Sequence, residues 1–175
     1  MSPESDPNEP LLLQGARFNV HRMTLTGDDG QQYQREVIRH PGAVVLLPIL
    51  DDGRVVMIEN TRPTVGETLL ELPAGTREPN EDAAVTASRE LIEETGYSAS
   101  SFELMHQFYS APGICDELMH LYRATGLVAG DPQREATEAI INRIATRQEI
   151  VQWIGSGKIR DAKTLVGLYA FLTSA

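Results

Sequence analysis

The sequence predicts one α+β domain, in which β-strands form a central sheet and a few helices cover it. Three observations favour this class. Two apolar, β-rich runs, AVVLLPIL and VVMIEN, are separated by a DDGR turn. A single long helical pattern follows a Pro/Gly loop, and more strand-like runs come after it. The length of 175 residues and the hydrophobic share of 41% suit one domain with a single sizeable core.

The N-terminal part is expected to form a β segment after a disordered tail. Residues 1–10, MSPESDPNEP, are polar and acidic, which is typical of a tail. The runs RFNVHRMTLT and QQYQREVIR, within residues 16–27 and 31–39, flank the turn signal GDDG and predict an antiparallel hairpin. Few of their residues are apolar, so residues 11–38 are expected to pack on another surface.

Residues 39–175 carry the pattern of the main domain. PGAVVLLPIL and VVMIEN are apolar on both faces, as in a central sheet that is covered by helices. ETLLELPAG predicts a short strand that ends in a Pro/Gly loop, and FELMHQFYS and ELMHLYRATGL predict two strands around the loop APGICDE. Two more helices are expected at Arg147–Gly155 and Lys163–Thr173.

The long helical pattern predicts a helix from Glu81 to Thr95. Asn80 is a suitable N-cap, and Gly96 is a natural residue to end the helix. The apolar and small residues recur at spacings of three and four, which predicts one buried stripe. The residues of this stripe are Ala84, Ala87, Ser88, Leu91 and Thr95.

This helix carries more carboxylates than an ordinary helix face needs. At about 100° per residue, Glu90 and Glu94 lie about 40° apart, and Glu93 lies about 60° to the other side of Glu90. Like charges one turn apart repel, so the face is either solvated or built to hold a cation. Carboxylate oxygens are ligands that Mg²⁺ prefers, and the adjacent Arg89 can pair with one acid and fix its rotamer.

Composition narrows the function classes. The net charge of -10 disfavours a general nucleic-acid binder, and it favours a bound cation if the substrate is an anion. The single cysteine, Cys115, cannot form an internal disulfide and favours a cytoplasmic location. The N-terminus lacks the pattern of a targeting peptide, and the longest apolar run is too short to span a bilayer, so no membrane partner is expected.

The acidic helix and its loop resemble the complete Nudix box. The matching pattern is Gly75, five residues, Glu81, seven residues, Arg89-Glu90-Leu91, one residue, Glu93-Glu94, one residue and Gly96-Tyr97. The resemblance implies a Nudix-type α/β/α sandwich with a mixed sheet. It also implies Mg²⁺- or Mn²⁺-dependent hydrolysis of a nucleoside diphosphate that is linked to another group.

Segments outside the box are similar to those of the ADP-ribose pyrophosphatase subfamily. They are IRHPGAVVLLPI, ENTRPTVGETLLELPAG, YSAPGICDELMHLYRATGL and GKIRDAKTLVGLYAF, with Pro112 fifteen residues after the box as a further marker. This resemblance implies cleavage of ADP-ribose into AMP and ribose 5-phosphate by residues 39–175. It also implies a homodimer in which residues 11–38 exchange between subunits.

The resemblance assigns roles to individual residues. The implied metal ligands are the carbonyl oxygen of Ala74 and the carboxylates of Glu90, Glu93 and Glu94, the last two also counted as catalytic. Glu81 and Arg89 are the implied supporting pair that orients the helix. Glu117, in the loop APGICDE, is implied to position or deprotonate water. The implied contacts to the substrate's phosphates or base are Arg39, Arg62 and Glu71.

Alternatives stay open at this level. Thr61 stands where the subfamily often has an aromatic residue, and Ile114 stands where phenylalanine is common, so the preferred base and sugar are open. The substrate could be another nucleotide sugar, such as a GDP-, UDP- or ADP-hexose. A nucleotide-sensing module without turnover is a third possibility, although none of the box glutamates is lost. Glu117 and Arg62 could be surface residues, and Cys115 lacks a base nearby in the sequence that would make it a nucleophile.

Overall fold

A computed structural model describes residues 9–134 and 139–174. The expected disordered tail falls mostly on residues 1–8, which lie outside the described residues. The chain then forms a three-stranded antiparallel sheet in the order β1-β2-β3, from β1 (Leu11–Gln14), β2 (Asn19–Thr26) and β3 (Gln32–Arg39). The predicted hairpin of β2 and β3 is confirmed, with Thr26 opposite Gln32 at its turn.

The central sheet has four strands in the order β7-β4-β9-β8. They are β4 (Ala43–Pro48), β7 (Ala74–Thr76), β8 (Tyr97–Tyr109) and β9 (Leu118–Ala129). Strands β4 and β9 run parallel, whereas β7 and β8 join them antiparallel. The predicted mixed sheet is therefore confirmed.

A second sheet has the order β10-β5-β6 and is antiparallel throughout. It contains β5 (Val55–Arg62), β6 (Glu67–Glu71) and β10 (Ile140–Ala145). The two apolar runs that are adjacent in the sequence, β4 and β5, thus belong to different sheets. The sequence pattern did not predict β10, which has buried residues only at its two ends and so lacks a clear alternation.

The core lies on both faces of the central sheet. Every residue of β4 is buried, because successive side chains point to opposite faces and both faces are covered. Val45 and Leu47 pack in the cluster that includes Leu168 of α3 (Ala162–Thr173). Val44 and Leu46 pack with residues of α1 (Ala83–Glu90) on the other face. This arrangement confirms the layered α+β class.

The acidic helix begins and ends differently from the prediction. Its N-cap is Asp82, whose carboxylate accepts a hydrogen bond from the Ala84 N–H, and not Asn80. Asn80 has a φ of 64°, in the left-handed region that asparagine tolerates, so it lies in the preceding turn. After α1 the chain continues as a π-helical turn, Leu91–Thr95. Gly96 follows with a φ of 78° and ends the helix as predicted.

The predicted buried stripe is wrong at two positions. Ala84 and Ser88 are exposed, and Ala83 and Thr86 are buried in their place. The buried residues of α1, which are Ala83, Thr86, Ala87 and Glu90, still recur at spacings of three and four, so the prediction had the right period but placed the stripe on a different side of the helix. Two of the acids, Glu90 and Glu94, are only 9% and 3% exposed, so they lie on the buried side of the helix.

The two C-terminal helices agree with the sequence. Helix α2 spans Arg147–Gly155 as predicted, and Thr146 with Glu149 forms a capping box at its start. Helix α3 begins at Ala162, one residue before the predicted Lys163, with Asp161 as its N-cap. Among the residues that the structure describes, no helix combines the length and the apolar character that crossing a membrane requires.

Candidate active site

A cleft of about 1130 Å³ lies where β7, α1, the N-terminal sheet and the start of α3 meet. Eight of the ten sequence-predicted site residues line this cleft. They are Arg39, Arg62, Ala74, Arg89, Glu90, Glu93, Glu94 and Glu117. Glu81 and Glu71 are not among the lining residues, and each contacts a lining arginine instead.

One part of the cleft lining is a cluster of charged residues on α1 and its π-helical turn. We call it the carboxylate wall; it consists of Arg89, Glu90, Glu93 and Glu94. Glu81 precedes α1 and contacts this wall through Arg89. Arg89 donates to both carboxylate oxygens of Glu81, each at 3.1 Å. The hydrogen bond from Arg89 lowers the pKa of Glu81 to about 2. Glu81 therefore stays ionised over the whole neutral range.

Arg89 also holds two of the predicted metal ligands. Its Nη1 lies 2.8 Å from Glu90 Oε1 and 2.8 Å from Glu93 Oε2. The pKa of Arg89 is raised above its usual value, chiefly by the hydrogen bonds to Glu81. The negative charge of Glu90 raises it further. Three carboxylates thus share one guanidinium, which leaves this group with a formal net charge of -2.

Gly75 makes room for the carboxylate of Glu90. A Cβ atom at position 75 would lie 1.9 Å from the Glu90 carboxyl carbon, far inside contact distance. Gly75 pairs with Val44 at the edge of the central sheet, so the backbone of β7 is held in place beside the helix. A glycine is therefore required here for close approach of the acid, and not for an unusual backbone angle.

Glu94 is fixed by the backbone of the same strand. Its Oε2 accepts a hydrogen bond from the Ala74 N–H at 2.9 Å, and its side chain is almost fully buried. The π-helical turn that carries Glu94 is a geometry that is found often at functional sites. The structure thus places Ala74 against Glu94 and Gly75 against Glu90, and Arg89 links Glu90 to Glu93.

The chemistry of this donor set suits a hard divalent cation. Carboxylate oxygens and a backbone carbonyl are the ligand types that Mg²⁺ and Mn²⁺ take. Gly75 leaves the space that the Glu90 carboxylate needs beside the strand. Over the described parts of the chain, no three His, Cys, Asp or Glu side chains already converge as a metal-holding group. Arg89, which bridges Glu90 and Glu93, is the cation that these acids contact.

Another part of the cleft lining presents cations. We call it the basic wall; it consists of Arg62 and Lys163. Arg62 donates to both oxygens of Glu71, at 2.9 and 2.7 Å, and Lys163 Nζ lies 2.7 Å from Glu71 Oε2. Glu71 is 1% exposed, so it is a buried anchor that holds both cations at the edge of the cleft. Its predicted contact with the substrate stays a prediction.

Lys163 is a functional candidate that the sequence pattern did not predict. It also contacts Asp161, at 2.9 Å. Burial opposes ionisation of Asp161, but the charge of Lys163 and the hydrogen bonds from Thr164 leave its pKa below the usual value. Lys163 lies 92 residues from Glu71 in the chain, and only the folded chain brings them together. No local motif could have signalled this pair.

A third part of the cleft lining is formed by Arg39 and the loop of residues 111–117. Arg39 pairs with the carboxylates of Glu9 and Asp116, and its hydrogen bonds to Glu9 are the main cause that raises its pKa. Glu117 follows Asp116, and its Oε1 lies 3.5 Å from His40 Nδ1. The sequence pattern did not predict that Arg39 contacts Asp116 and Glu9.

Comparison with known proteins identifies the family. The family model described as "NUDIX domain" matches residues 39–163, which is most of the chain. The chain belongs to the Nudix family. The match begins at the residue where the predicted main domain begins, and it contains the carboxylate wall, Arg62 and Lys163.

Curated relatives place the chain among Nudix hydrolases. It is 39% identical over 145 residues to a methanol dehydrogenase activator of Bacillus methanolicus, covering 80% of this chain and 77% of that protein. It is 36% identical over 138 residues to an ADP-ribose pyrophosphatase of Bacillus subtilis (strain 168), covering 78% and 75%. The predicted family and the resemblance to the ADP-ribose pyrophosphatases are therefore confirmed.

A solved structure shows the same fold. The crystal structure described as an ADP compounds hydrolase aligns with a TM-score of 0.81, covering 94% of this chain and 89% of that chain. The sequence identity is 21%, so this likeness concerns the fold. It covers the N-terminal sheet as well as the Nudix domain, and it confirms the predicted fold class.

Proposed function

We propose that this Nudix hydrolase cleaves the pyrophosphate bond of ADP-ribose to AMP and ribose 5-phosphate, with Mg²⁺ or Mn²⁺ as cofactor. One observation carries the proposal: a single cleft is lined by both the carboxylate wall and the basic wall. A diphosphate needs its charge neutralised from both sides before water can attack phosphorus. The identity of one relative as an ADP-ribose pyrophosphatase supports the choice of substrate.

The residues proposed to hold the metal are the Ala74 carbonyl oxygen, Glu90, Glu94 and Glu93. A bound divalent cation would supply charge neutralisation on the diphosphate and lower the pKa of a coordinated water. Arg89 and Glu81 hold the helix in register beside this group. The formal charge of -2 on Arg89 and its three acids favours a divalent cation over a monovalent one.

Glu117 is the proposed residue for positioning or deprotonating water. It lines the cleft and is about four-fifths buried, so its carboxylate faces a restricted volume. Hydrolysis consumes one water: a new P–O bond forms, the bridging P–O bond breaks, and the water proton passes to a base. A positioned carboxylate contributes about 10²- to 10⁴-fold in such proton transfers.

The basic wall is proposed to bind the substrate's phosphates. Arg62 is about one-third exposed in its side chain and keeps N–H groups beyond the two that bind Glu71. An arginine held in this way is pre-organised for a bidentate phosphate contact. Lys163 adds a second cation from α3, and Glu71 acts by fixing both.

A different nucleotide sugar is the second candidate, and one position favours it. Thr61 is exposed, and its hydroxyl lies 2.9 Å from that of Thr68, so this edge of β5 offers a small polar surface and no aromatic ring. Position 61 itself offers no ring on which a base could stack, and the aromatic residues of the cleft lining, Phe18, Phe108 and Tyr109, lie on other elements. GDP-, UDP- and ADP-linked hexoses are therefore the alternative substrates.

A substrate panel tests the proposal. Purified protein with Mg²⁺ is incubated separately with ADP-ribose, ADP-glucose, GDP-mannose, UDP-glucose, NADH and diadenosine polyphosphates, and the products are separated by chromatography. We expect AMP and ribose 5-phosphate, chiefly from ADP-ribose. A preference for a hexose conjugate would replace the proposed substrate, and no turnover with Mg²⁺ or Mn²⁺ would favour a nucleotide-sensing module instead.

We also propose a homodimer and a cytoplasmic location. Strand β1 exposes three consecutive leucines at 42–56% of their surface, a patch that a second chain could cover. They are Leu11, Leu12 and Leu13. The single cysteine, Cys115, is a free thiol, which suits a reducing compartment. Light scattering after size exclusion tests the dimer: a monomer at micromolar concentration would refute it.

A further inference from the structure

The loop of residues 111–117 is attached to the end of the N-terminal sheet. Ile38 of β3 donates its N–H to the Ile114 carbonyl at 2.8 Å and accepts from the Asp116 N–H at 3.1 Å. Ile38 and Cys115 are paired as in a parallel bridge. The last residues of the loop therefore extend the edge of β3, just before Glu117 enters the cleft.

The side chain of Asp116 strengthens this attachment with both of its oxygens. Oδ1 accepts from the His40 backbone N–H at 2.8 Å, and Oδ2 accepts from Arg39 Nη1 at 3.2 Å. Arg39 is held from its other edge by Glu9, with Nε 3.1 Å from Oε2 and Nη2 2.5 Å from Oε1. A charge-assisted chain thus runs from Glu9 through Arg39 to Asp116.

We propose that Asp116 is a positioning residue that holds the 111–117 loop so that Glu117 faces the carboxylate wall. The inference rests on the proposed function, in which Glu117 positions or deprotonates water. Asp116 acts through Glu117, because its two oxygens are used by Arg39 and His40 and the next residue in the chain is the acid itself. Arg39 then stabilises the position of the 111–117 loop through Asp116, in addition to any contact that it makes with substrate.

A double-mutant cycle tests this role. Residues that act through one another give non-additive effects, whereas independent residues multiply their effects. Displacing a reacting group by about 1 Å costs about 10²-fold. We expect Asp116→Ala to lower kcat for ADP-ribose about 10- to 100-fold, with KM changed less than about threefold. In the Glu117→Gln background, the same substitution should lower kcat less than about twofold.

Two further variants sharpen the cycle. Asp116→Asn keeps an oxygen for the His40 N–H and loses the charge toward Arg39, so its kcat should lie between those of the wild type and Asp116→Ala. Asp52→Ala is the matched control: Asp52 accepts a backbone N–H at 3.1 Å and an arginine Nε at 2.8 Å, both from Arg54, but lies in the β4–β5 turn away from the cleft. It should leave kcat unchanged.

Hydrogen exchange gives a readout that does not need turnover. Peptides that cover residues 111–117 should exchange at least about tenfold faster in Asp116→Ala than in wild type, and at the wild-type rate in Asp52→Ala. Unchanged exchange, or multiplicative effects of Asp116→Ala and Glu117→Gln, would overturn the proposal. A different outcome is a wild-type protein whose 111–117 loop exchanges slowly but which hydrolyses no substrate. That outcome would refute the proposed function, and with it the role of Asp116 in catalysis.

Discussion

Replacing Gly75 with alanine tests the candidate metal site with the smallest possible change. The new Cβ would lie 1.9 Å from the Glu90 carboxyl carbon and 2.0 and 2.3 Å from its oxygens. Ordinary contact begins near 3.4 Å, so the carboxylate must retreat by about 1.5 Å, the difference between 3.4 and 1.9 Å. The far end of a flexible side chain can move in this way, whereas β7 stays paired with β4.

The expected cost falls on activity far more than on stability. A retreat larger than 1 Å at a group that holds the metal should lower kcat about 100-fold or more. Affinity for Mn²⁺ should fall at least about tenfold, because one ligand leaves its position. The free energy of unfolding should fall by only about 1 kcal/mol, the typical worth of the hydrogen bond between Glu90 and Arg89 that is disturbed.

Steady-state kinetics with ADP-ribose, Mn²⁺ titration by electron paramagnetic resonance and thermal unfolding measure these three quantities. Gly155→Ala is the matched control, since a Cβ there meets no atom within 4 Å and the residue has no positive φ. Wild-type kcat and Mn²⁺ affinity in Gly75→Ala would refute the reasoning, because they would show that the position of Glu90 does not matter.

Three further predictions concern other acids and their partners. Glu94→Gln should lower kcat at least about 100-fold with little change in Tm, because an amide oxygen can still accept the Ala74 N–H while the charge is lost. Lys163→Met should lower the free energy of unfolding by about 3 kcal/mol, because Glu71 loses one of its two cationic partners in a buried position. Glu81 in wild type should stabilise the fold relative to Glu81→Gln above about pH 4.5, and this advantage should shrink as the pH falls toward about 2, because its pKa is lowered on folding.

Each of the three has a contradicting result, and Glu94→Gln has a matched control. Substantial turnover by Glu94→Gln with metal present would remove Glu94 from the metal site. Glu103→Gln is its control, since Glu103 pairs with Arg123 on the exposed face of β8 and β9. An unchanged midpoint in urea would contradict the role of Lys163. A stability difference for Glu81→Gln that is constant from pH 7 to pH 2 would show that Arg89 does not hold that carboxylate ionised.

Local chemistry was enough to predict much of the fold. The GDDG turn and its flanking strand-like runs predicted the β2–β3 hairpin. Apolar runs predicted β4, β5 and the pair β8 and β9. The limits of α2 were also predicted, because Thr146 and Glu149 supply a capping box at its start. These elements are decided by interactions between residues close in the chain.

The misses have physical causes in tertiary structure. Both Asn80 and Asp82 are good N-caps, and the turn that places Asn80 in the left-handed region decides between them. The buried stripe had the right period but was placed on a different side of the helix, because the prediction did not count the polar residues Thr86 and Glu90 as buried. The acids Glu90 and Glu94 were expected on an open face, yet the strand that carries Gly75 covers them.

The candidate site also has a part that the local sequence predicts and a part that only the folded chain shows. The spacing of the Nudix box was enough to predict the carboxylate wall, because the residues of this wall lie close together in the chain. The basic wall and the attachment of the 111–117 loop depend on contacts across 92 and 77 residues, to Lys163 and Asp116. Pattern reading within a window cannot find such pairs, and the fold is needed to show them.

The most direct test of the central claim is the ³¹P NMR spectrum of ADP-ribose incubated with the purified protein, first with excess chelator and then with Mg²⁺. The account predicts that the diphosphate resonances persist with chelator and are replaced, on adding Mg²⁺, by two phosphomonoester resonances, those of AMP and ribose 5-phosphate. Diphosphate resonances that remain unchanged with Mg²⁺, and with Mn²⁺ in its place at trace level, would contradict the claim that this cleft is a metal-dependent pyrophosphatase site for ADP-ribose.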